Sequence, residues 1–123
     1  MINFNWYKFF EVATDVLGEG NINLENSKSF CAWTTFGALK STCNYWFAGL
    51  PCMDDLDSRG HGDGGVWRQP FDFDDLAHIV IPKEFMTYLC IQRSQNIETL
   101  SEKLHELSLE HRCTNLVLEV KLY

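Results

Sequence analysis

The sequence predicts an α+β fold in one compact domain, residues 1–123. We expect an N-terminal helix or helices packed on a mixed or antiparallel sheet, and a C-terminal strand–helix–strand unit. Three observations predict this fold. The chain has 123 residues, which is enough for one domain and too few for two. Apolar residues recur at helical spacing near the N-terminus and alternate with polar residues near the C-terminus. Apolar residues make up 46% of the chain and charged residues 22%, as in globular domains.

Residues 3–17 are predicted to form an amphipathic helix. Asn3 or Asn5 can cap its N-terminus by accepting a hydrogen bond from a free backbone N–H. Gly18 can end it, because glycine adopts a positive φ without steric cost. A polar connector follows, residues 18–27. The apolar face of this helix consists of Trp6, Phe9, Phe10, Ala13, Val16 and Leu17.

Residues 28–48 admit two interpretations. A spacing of apolar residues near 3.6 favours a helix, with Ser27 or Ser29 as its N-cap. The run 30–36, however, is rich in residues that favour strands, and Gly37 can mark a bulge or turn between two short strands. We take the helix as the first prediction and the pair of strands as the alternative. The apolar face of the helix would hold Ala32, Phe36, Leu39, Cys43, Trp46, Phe47 and Leu50.

The C-terminal half is predicted to contain three strands and one helix. Residues 77–81 form a short strand ended by Pro82, and residues 85–92 form a central strand because both of its faces are apolar. Asn96 can cap the helix that follows. The buried stripe of this helix is Ile97, Leu100, Leu104 and Leu107.

The last strand spans residues 114–123, where apolar and polar residues alternate as in a half-buried strand. Its apolar face consists of Leu116, Leu118, Val120 and Leu122. Because a helix separates this strand from the one at 85–92, the spacing predicts a right-handed crossover that joins two parallel strands.

The chain is acidic, with 17 Asp and Glu against 10 Lys and Arg and a formal net charge of −7. Proteins that bind nucleic-acid phosphates need clustered Lys and Arg, so we expect no nucleic-acid partner. No apolar run approaches the roughly 18 residues of a membrane span, and the N-terminus lacks the pattern of a signal peptide. Five cysteines suit a reducing compartment better than a disulfide framework. We therefore expect a cytoplasmic protein without membrane contact.

The main candidate for function is an acidic, turn-rich segment, residues 54–75, which we call the aspartate segment. Its aspartates are Asp54, Asp55, Asp57, Asp63, Asp72, Asp74 and Asp75. Long loops are uncommon in compact domains unless they carry a function. Seven carboxylates on one loop repel one another and attract cationic partners. We predict that this segment is an acidic binding surface, and a solvated loop without a partner is the alternative.

Trp67 lies in the middle of the aspartate segment, between Val66 and Arg68. An aromatic residue beside a charged residue is typical of an interface anchor, because aromatic and Arg side chains dominate binding energies. We predict that Trp67 contacts a partner, and the alternative is that it fixes the loop to the core.

No catalytic or metal-binding motif is complete. An EF-hand alignment that starts at Asp55 fails, because position 5 is Arg59 and position 12 is Val66, where the motif needs a glutamate. His105 and His111 are six residues apart, whereas the zinc motif requires a spacing of four on a helix. The glycines between positions 60 and 65 lack the Lys and the Ser or Thr of a phosphate-binding loop. We therefore expect no metal, no cofactor and no catalytic residue, and we predict that the protein is not an enzyme.

Other chemistry-bearing residues have ordinary interpretations. His61 is expected to be exposed in the Gly-rich loop, and His78 to be a half-buried strand residue. Cysteines in apolar patterns are expected to pack as small hydrophobic residues, namely Cys31, Cys43 and Cys90. A second acidic row repeats at i+4 on the last helix and consists of Glu98, Glu102, Glu106 and Glu110. A solvated helix face is the first interpretation of this row, and a surface that faces a partner is the alternative.

Two segments carry a resemblance to a known class of proteins. They are the aromatic start Asn3-Phe4-Asn5-Trp6 and the terminal strand Leu116-Val117-Leu118-Glu119-Val120-Lys121-Leu122-Tyr123. With the short acidic chain and the Trp-rich N-terminal half, the sequence resembles small cytoplasmic immunity proteins of bacterial toxin systems, including contact-dependent growth inhibition. The resemblance extends over most of the chain. It implies a protein that binds a cognate toxin domain and neutralises it, often by covering the basic active site of a nuclease.

We therefore predict an immunity protein that inhibits its toxin by forming a toxin–antitoxin complex. The predicted contacts are the seven aspartates and Trp67. Carboxylates can occupy a cleft that is built for phosphates and can speed encounter, while apolar anchors supply affinity. Two alternatives stay open: a phage-type inhibitor that mimics nucleic acid, and a small metal-dependent hydrolase that uses the Asp- and His-containing loop.

Overall fold

Residues 4–123, which a computed structural model describes, form three helices and nine strands. The helices are α1 Trp6–Leu17, α2 Phe36–Ser41 and α3 Ile97–Glu106. The strands are β1 Cys31–Thr35, β2 Trp46–Ala48, β3 Gly60–His61, β4 Phe71–Asp72, β5 Leu76–Pro82, β6 Glu84–Met86, β7 Gln92–Ser94, β8 Arg112–Cys113 and β9 Val117–Lys121. Five of them form the main sheet in the order β2–β1–β5–β9–β8, and every neighbouring pair is antiparallel. The predicted α+β fold is confirmed, with an antiparallel main sheet.

The main sheet has one buried face and one open face. Successive side chains of a strand point to opposite faces, and burial alternates accordingly along β5 and β9. Helices α1 and α3 contact each other and pack on the buried face. The core between the layers includes Trp6, Phe9, Phe10, Trp33, Ile79, Ile81, Leu100, Leu104, Leu118 and Val120. Each of these large side chains contributes roughly 1.5–3 kcal/mol when it is removed from water.

Helix α1 has the predicted cap and the predicted end. Asn5 Oδ1 accepts a hydrogen bond from Lys8 N at 3.0 Å. Gly18 has a φ of 100°, and its N–H donates to Thr14 O at 2.8 Å. Asn3, the other predicted cap, lies outside the described residues. α1 has 12 residues, and no helix within residues 4–123 is long and apolar enough to cross a membrane.

The segment 28–48 contains two strands, so the helix predicted there is wrong and the alternative is correct. β1 and β2 pair antiparallel, with Trp33 opposite Trp46. Cys31 and Trp33 are two positions apart and both fully buried, which is the period of a strand and not of a helix. The aromatic and β-branched residues of 30–36 suit this pairing, and tertiary contact outweighs the helical spacing.

A short helix, α2, connects these two strands. Thr35 Oγ1 caps it by accepting a hydrogen bond from Ala38 N at 3.1 Å. Gly37 lies inside α2, so it does not mark the turn that was expected there. The irregularity in the sheet lies instead between Thr34 and Thr35, where the pairing of β1 with β5 shifts.

Residues 85–92 do not form the predicted central strand. β6 and β7 make a separate two-stranded hairpin outside the main sheet, with residues 87–91 as its tip. β5 and β9 are neighbours and antiparallel, so the predicted parallel crossover is wrong as well. Apolar residues on both faces predict burial only where the rest of the chain covers both faces, and nothing covers this tip within residues 4–123.

Helix α3 and strand β9 follow the prediction in their centres and depart from it at their ends. Asn96 Oδ1 accepts a hydrogen bond from Thr99 N at 3.1 Å and caps α3. Leu107 is exposed because the helix ends at Glu106. Leu116 is 76% exposed because it precedes β9, whereas the two central apolar residues of β9 are buried.

Gln95 completes the main sheet where β1 and β5 end. Its Oε1 accepts a hydrogen bond from Phe30 N at 3.0 Å, and its Nε2 donates to Phe30 O at 3.0 Å and to Pro82 O at 2.9 Å. The buried amide thus satisfies backbone groups that a further strand residue would otherwise satisfy. Nearby, Arg93 Nη1 donates to Ser27 O at 2.9 Å. These bonds fasten the β6–β7 hairpin to the rest of the domain.

Candidate partner-binding surface

The aspartate segment folds back on itself, so that its two ends lie together. β3 pairs antiparallel with β4, with Gly60 opposite Asp72. Short 3-10 turns, Met53–Asp55 and Phe73–Asp75, flank this pair. Gly60 is required there, because its φ is 154° and a Cβ would collide with the carbonyl of Phe71. The pairing brings the aspartates before residue 60 close to those after residue 71.

Six of the seven aspartates are exposed, namely Asp54, Asp57, Asp63, Asp72, Asp74 and Asp75. Within residues 4–123, none of the six forms an ion pair with Lys or Arg. Asp57 also has a structural role, because its Oδ1 accepts hydrogen bonds from Arg59 N at 2.7 Å and Gly60 N at 3.1 Å. These two bonds lower the pKa of the Asp57 carboxyl below its usual value. The segment therefore presents six carboxyl groups to solvent.

Asp55 is half-buried and serves the segment itself. Its Oδ2 accepts a hydrogen bond from Val66 N at 3.3 Å and lies 3.7 Å from His61 Nε2. Its carboxyl group also lies against Gly65, which has a φ of 65° and no room for a Cβ. Asp55 thus holds the glycine turn in place, and the carboxylates that the segment exposes are those of the other six aspartates.

Trp67 is a core residue, because it is only 4% exposed. It stacks on Trp33 with ring centroids 3.8 Å apart, and its Nε1 donates to Gly49 O at 3.1 Å. A partner could reach it only by opening the core, so the predicted anchor role is not supported. His61 is 3% exposed and stacks on Trp67 at 5.1 Å, so the expectation of an exposed His61 is wrong. Its Nδ1 is fixed by a 2.7 Å hydrogen bond to Gly62 O.

The glutamate row on α3 is shorter than predicted. The helix ends at Glu106, so Glu110 does not share its face. Glu98 forms an ion pair with Lys83 at 2.9 Å, and this hydrogen bond lowers the pKa of Glu98. Glu102 and Glu106 are exposed and make no ion pair within residues 4–123. This helix face therefore carries fewer exposed carboxylates without an ion pair than the aspartate segment does.

In the part of the chain that the structure describes, the metal-ligating side chains form no cluster and the cysteine thiols differ in burial. No three His, Cys, Asp or Glu side chains there are placed to hold a metal ion. Cys31 is fully buried, and burial raises the pKa of its thiol. Burial and a hydrogen bond with Glu19 raise the pKa of Cys52 to about 11. Cys43 and Cys90 are exposed, so only Cys31 packs as the apolar pattern predicts.

The open face of the main sheet carries a chain of hydrogen bonds centred on His78, which is half-buried as predicted. Nε2 of His78 lies 2.8 Å from Glu119 Oε1, and Nδ1 lies 2.7 Å from the hydroxyl of Tyr45. Arg112 Nη1 donates to the other oxygen of Glu119 at 3.1 Å. Burial acts to raise the pKa of Glu119, but the bonds from His78 and Arg112 outweigh it and lower the pKa.

This chain of bonds resembles the order of groups that activates a nucleophile, with a carboxylate, an imidazole and a hydroxyl. Burial and a hydrogen bond with Tyr123 raise the pKa of Tyr45 to about 12, however, so the phenol stays protonated at neutral pH. The arrangement therefore braces β5 against β9 and the segment before β2.

Apolar side chains that the sequence predicts to be buried lie exposed at the tip of the β6–β7 hairpin. Tyr88 is 70% exposed and Leu89 is 73% exposed. Phe30 stacks on Phe85 of β6 with ring centroids 5.4 Å apart and packs at a tilt against Phe47 of β2 at 5.8 Å, and so joins the hairpin to the sheet. We define the apolar patch as Ile22, Phe47, Met86, Tyr88, Leu89 and Ile91, all of them exposed. Ile22, Phe47 and Tyr88 of this set line one groove. Large exposed apolar patches mark interaction sites on folded proteins.

Sequence reasoning missed the apolar patch because it treated apolar content as burial. One signal was present in the composition of the tip. Met86, Tyr88 and Leu89 lack the β-branched side chains that are enriched in buried strands, and tyrosine has a polar hydroxyl that tolerates water.

A groove of about 250 Å³ lies between the apolar patch and the aspartate segment. Phe47 and Tyr88 line it from the patch, and residues 66–69 line it from the aspartate segment. Arg68 is the only charged residue along it. Trp33 also lines the groove, and its buried indole N–H has no acceptor within residues 4–123. The groove is therefore lined by residues of the apolar patch and by residues 66–69 of the aspartate segment, and none of the seven aspartates lines it.

In comparisons with known proteins, the chain matches no family model, no curated protein and no solved structure. The resemblance to toxin immunity proteins stays a prediction. The groove and the two surfaces beside it are the observations that bear on function.

Proposed function

We propose that the protein is an immunity protein of a bacterial toxin system, which binds and neutralises a cognate basic toxin domain. The observation that carries the proposal is the groove with the apolar patch on one side and the aspartate segment on the other. Tight protein complexes need apolar or aromatic anchors for affinity, and complementary charges mainly set the rate of encounter. Both components are present on adjoining parts of this surface.

The two surfaces have separate roles in this proposal. The six exposed aspartates attract a toxin whose cleft is positive because it receives phosphates, as in a nuclease. Phe47, Tyr88 and Leu89 take the anchor role that the sequence assigned to Trp67. Covering the cleft excludes the toxin's substrate, so inhibition requires no catalysis by the immunity protein.

We place the protein in the cytoplasm in this proposal. Its five cysteines are free thiols, and Cys43, Cys90 and Cys113 are exposed. Exposed thiols persist in reduced form where glutathione and thioredoxin maintain them, as in the bacterial cytoplasm.

The test uses the product of the reading frame next to that of this chain. The C-terminal domain of that product is expressed from an inducible promoter, alone and together with this protein. We expect growth arrest when it is expressed alone, restored growth on co-expression, and a complex that stays together in gel filtration. A product that is not toxic, or whose toxicity co-expression leaves unchanged, contradicts the proposal.

Paired variants test the role of the apolar patch in that complex. We expect the double variant Tyr88→Ser with Leu89→Ser to raise the dissociation rate about tenfold or more, because anchors contribute ~2 kcal/mol or more. Leu116→Ser is the matched control, since Leu116 is as exposed as these residues and lies outside the patch. Equal dissociation rates for both variants in surface plasmon resonance would remove the anchor role.

A further inference from the structure

We propose that the groove binds an extended segment of the partner, which pairs with the free edge of β2 and adds a sixth strand to the main sheet. This inference rests on the proposed function for the existence of a partner. It goes further by naming the backbone groups that recognise the partner and the chemistry of the segment that they accept.

The direction of each backbone group in the sheet follows from hydrogen bonds at the two ends of β5. Leu122 N donates to Ala77 O at 2.9 Å, and Lys83 N donates to Leu116 O at 2.8 Å. In an antiparallel pair, every second residue directs both its N–H and its C=O to the same neighbour. The odd-numbered residues from Ala77 to Lys83 therefore bond to β9. The residues between them, such as Val80, bond to β1.

This alternation continues across β1 to the edge of the sheet. Val80 lies opposite Ala32, so Ala32 directs its N–H and C=O toward β5. The residues on either side of Ala32 bond to β2. Phe47 lies opposite Ala32 in β2, so its own N–H and C=O point away from the sheet. The N–H and C=O of Gly49 also point away from the sheet, and this C=O accepts a hydrogen bond from the Trp67 indole at 3.1 Å.

Phe47 therefore offers one donor and one acceptor at the free edge. Within residues 4–123, no other strand pairs with this edge. All three residues of β2 line the groove, so the groove runs along the unpaired side. An extended chain is the backbone shape that satisfies such an edge, because its N–H and C=O groups have the matching spacing.

The lining of the groove defines the side chains of the segment. Its aromatic wall and its volume of about 250 Å³ suit one aromatic or large aliphatic side chain. Arg68 is the only charged residue among the described residues that line the groove. It favours an aspartate or glutamate next to that apolar side chain. A second copy of this chain fits less well, because pairing β2 with β2 would bring together two Arg68 side chains, and no acidic residue within residues 4–123 lines the groove.

The first experiment detects strand addition on the isolated protein. The probe is a short synthetic peptide, blocked at both ends, of alternating threonine and valine with a central phenylalanine followed by glutamate. In nitrogen-15-labelled protein, we expect the Phe47 amide signal to move downfield and its hydrogen exchange to slow about tenfold at saturation. The control peptide is N-methylated at the phenylalanine and should cause neither change. A Phe47 amide that the first peptide leaves unchanged overturns the proposal.

The second experiment uses two variants of one residue in the toxin complex. Phe47→Pro removes the outward N–H without breaking a bond to β1, and Phe47→Ala removes the same ring but keeps that N–H. We expect Phe47→Pro to bind the toxin about fivefold to tenfold more weakly than Phe47→Ala, as the loss of one hydrogen bond predicts. Equal affinities overturn strand addition. They leave the proposed function standing, because growth rescue decides that separately.

The oligomeric state of the protein distinguishes a partner segment from a second copy of this chain as the occupant of the edge. Sedimentation of the protein alone should show a monomer, and Arg68→Gln should reduce the preference for the glutamate-containing peptide over its glutamine analogue. A dimer that Phe47→Pro abolishes would identify a second copy as the occupant and overturn the assignment to a partner segment.

Discussion

Trp67 shows how a single side chain can tie a loop to a core. Its ring lies between Trp33 and His61, and its indole N–H satisfies the carbonyl of Gly49 at the edge of the sheet. The aspartate segment is therefore fixed at its centre, although its carboxylates face water. This explains how a segment rich in like charges keeps a defined shape.

The first prediction concerns this residue. Trp67→Ala should lower the free energy of unfolding by ~3–5 kcal/mol, because it removes a buried aromatic ring and leaves a cavity. Trp67→Phe should cost less, since it keeps one aromatic ring in the core, although it loses the hydrogen bond to Gly49 and part of the indole. Urea unfolding followed by circular dichroism measures both. An unchanged midpoint for Trp67→Ala would show that the ring is not part of the core.

Glu119 links stability to pH. Its folded-state pKa is lowered, because the bonds from His78 and Arg112 outweigh burial. A group of this kind contributes stability above its ordinary pKa, and the contribution is lost as the pH falls through the folded-state value. Wild type should therefore have a higher free energy of unfolding than Glu119→Gln at pH 7. This difference in free energy should narrow as the pH falls below 4.5, the ordinary pKa of glutamate.

Urea unfolding at a series of pH values measures this difference. Glu102→Gln is the control, because Glu102 is an exposed glutamate without an ion pair within residues 4–123. The difference in the free energy of unfolding between wild type and Glu102→Gln should stay small at every pH. A gap between wild type and Glu119→Gln that is the same at pH 7 and in acid would exclude ionisation as its cause.

At the scale of elements, the sequence predicted correctly those helices whose signals lie within the segment itself. The spacing and the caps of α1 and α3 are properties of each segment alone, and Asn5 and Asn96 cap them as expected. The segments 28–48 and 85–92 differ, because their conformation depends on which other element lies beside them. β1 needs β5 to become a central strand, and within residues 4–123 the tip of the β6–β7 hairpin stays exposed at Tyr88 and Leu89. A single sequence contains no signal for either neighbour.

The same limit applies to the candidate site. The acidity of the aspartate segment was visible in its composition, and six of its carboxylates are exposed as a binding surface requires. Whether Trp67 or Tyr88 faces solvent depends on the packing of the whole domain. The groove between them exists only once β2 has become an edge strand.

A pair of proline variants tests the direction of the backbone groups in β2. Ala48→Pro removes an N–H that faces β1, so it should destabilise the fold by ~3 kcal/mol or more. Phe47→Pro removes an N–H that faces the groove, so its stability should lie within about 1 kcal/mol of Phe47→Ala. Thermal unfolding compares the three variants. If both prolines destabilise the protein equally, the assigned directions are wrong.

At the scale of the whole molecule, the position of charge matters as well as its total. The net charge of −7 attracts any basic partner, but seven of the 17 acidic residues lie in the aspartate segment, whose residues 66–69 line the groove. Carboxylates close to the contact should dominate the rate of encounter, because screening limits the reach of each charge to roughly 10 Å at 0.1 M salt.

Two variants of equal charge test this point. Replacing Asp54, Asp74 and Asp75 by Asn should lower the association rate with the toxin and flatten its dependence on salt. Replacing Glu102, Glu106 and Glu110 by Gln changes the net charge by the same amount and should have a smaller effect. Stopped-flow measurements at several ionic strengths compare the two. Equal effects would show that only the total charge acts.

The outer strands of the main sheet are short, with three residues in β2 and two in β8. Fibrils grow when long, flat edges pair repeatedly with copies of themselves. Here each edge strand can form only a few backbone hydrogen bonds with an added copy, so the copy gains little free energy of association. The edge that the added copy offers to the next copy is equally short. The chain can therefore expose large apolar side chains beside an open sheet edge and still resist growth into ordered aggregates.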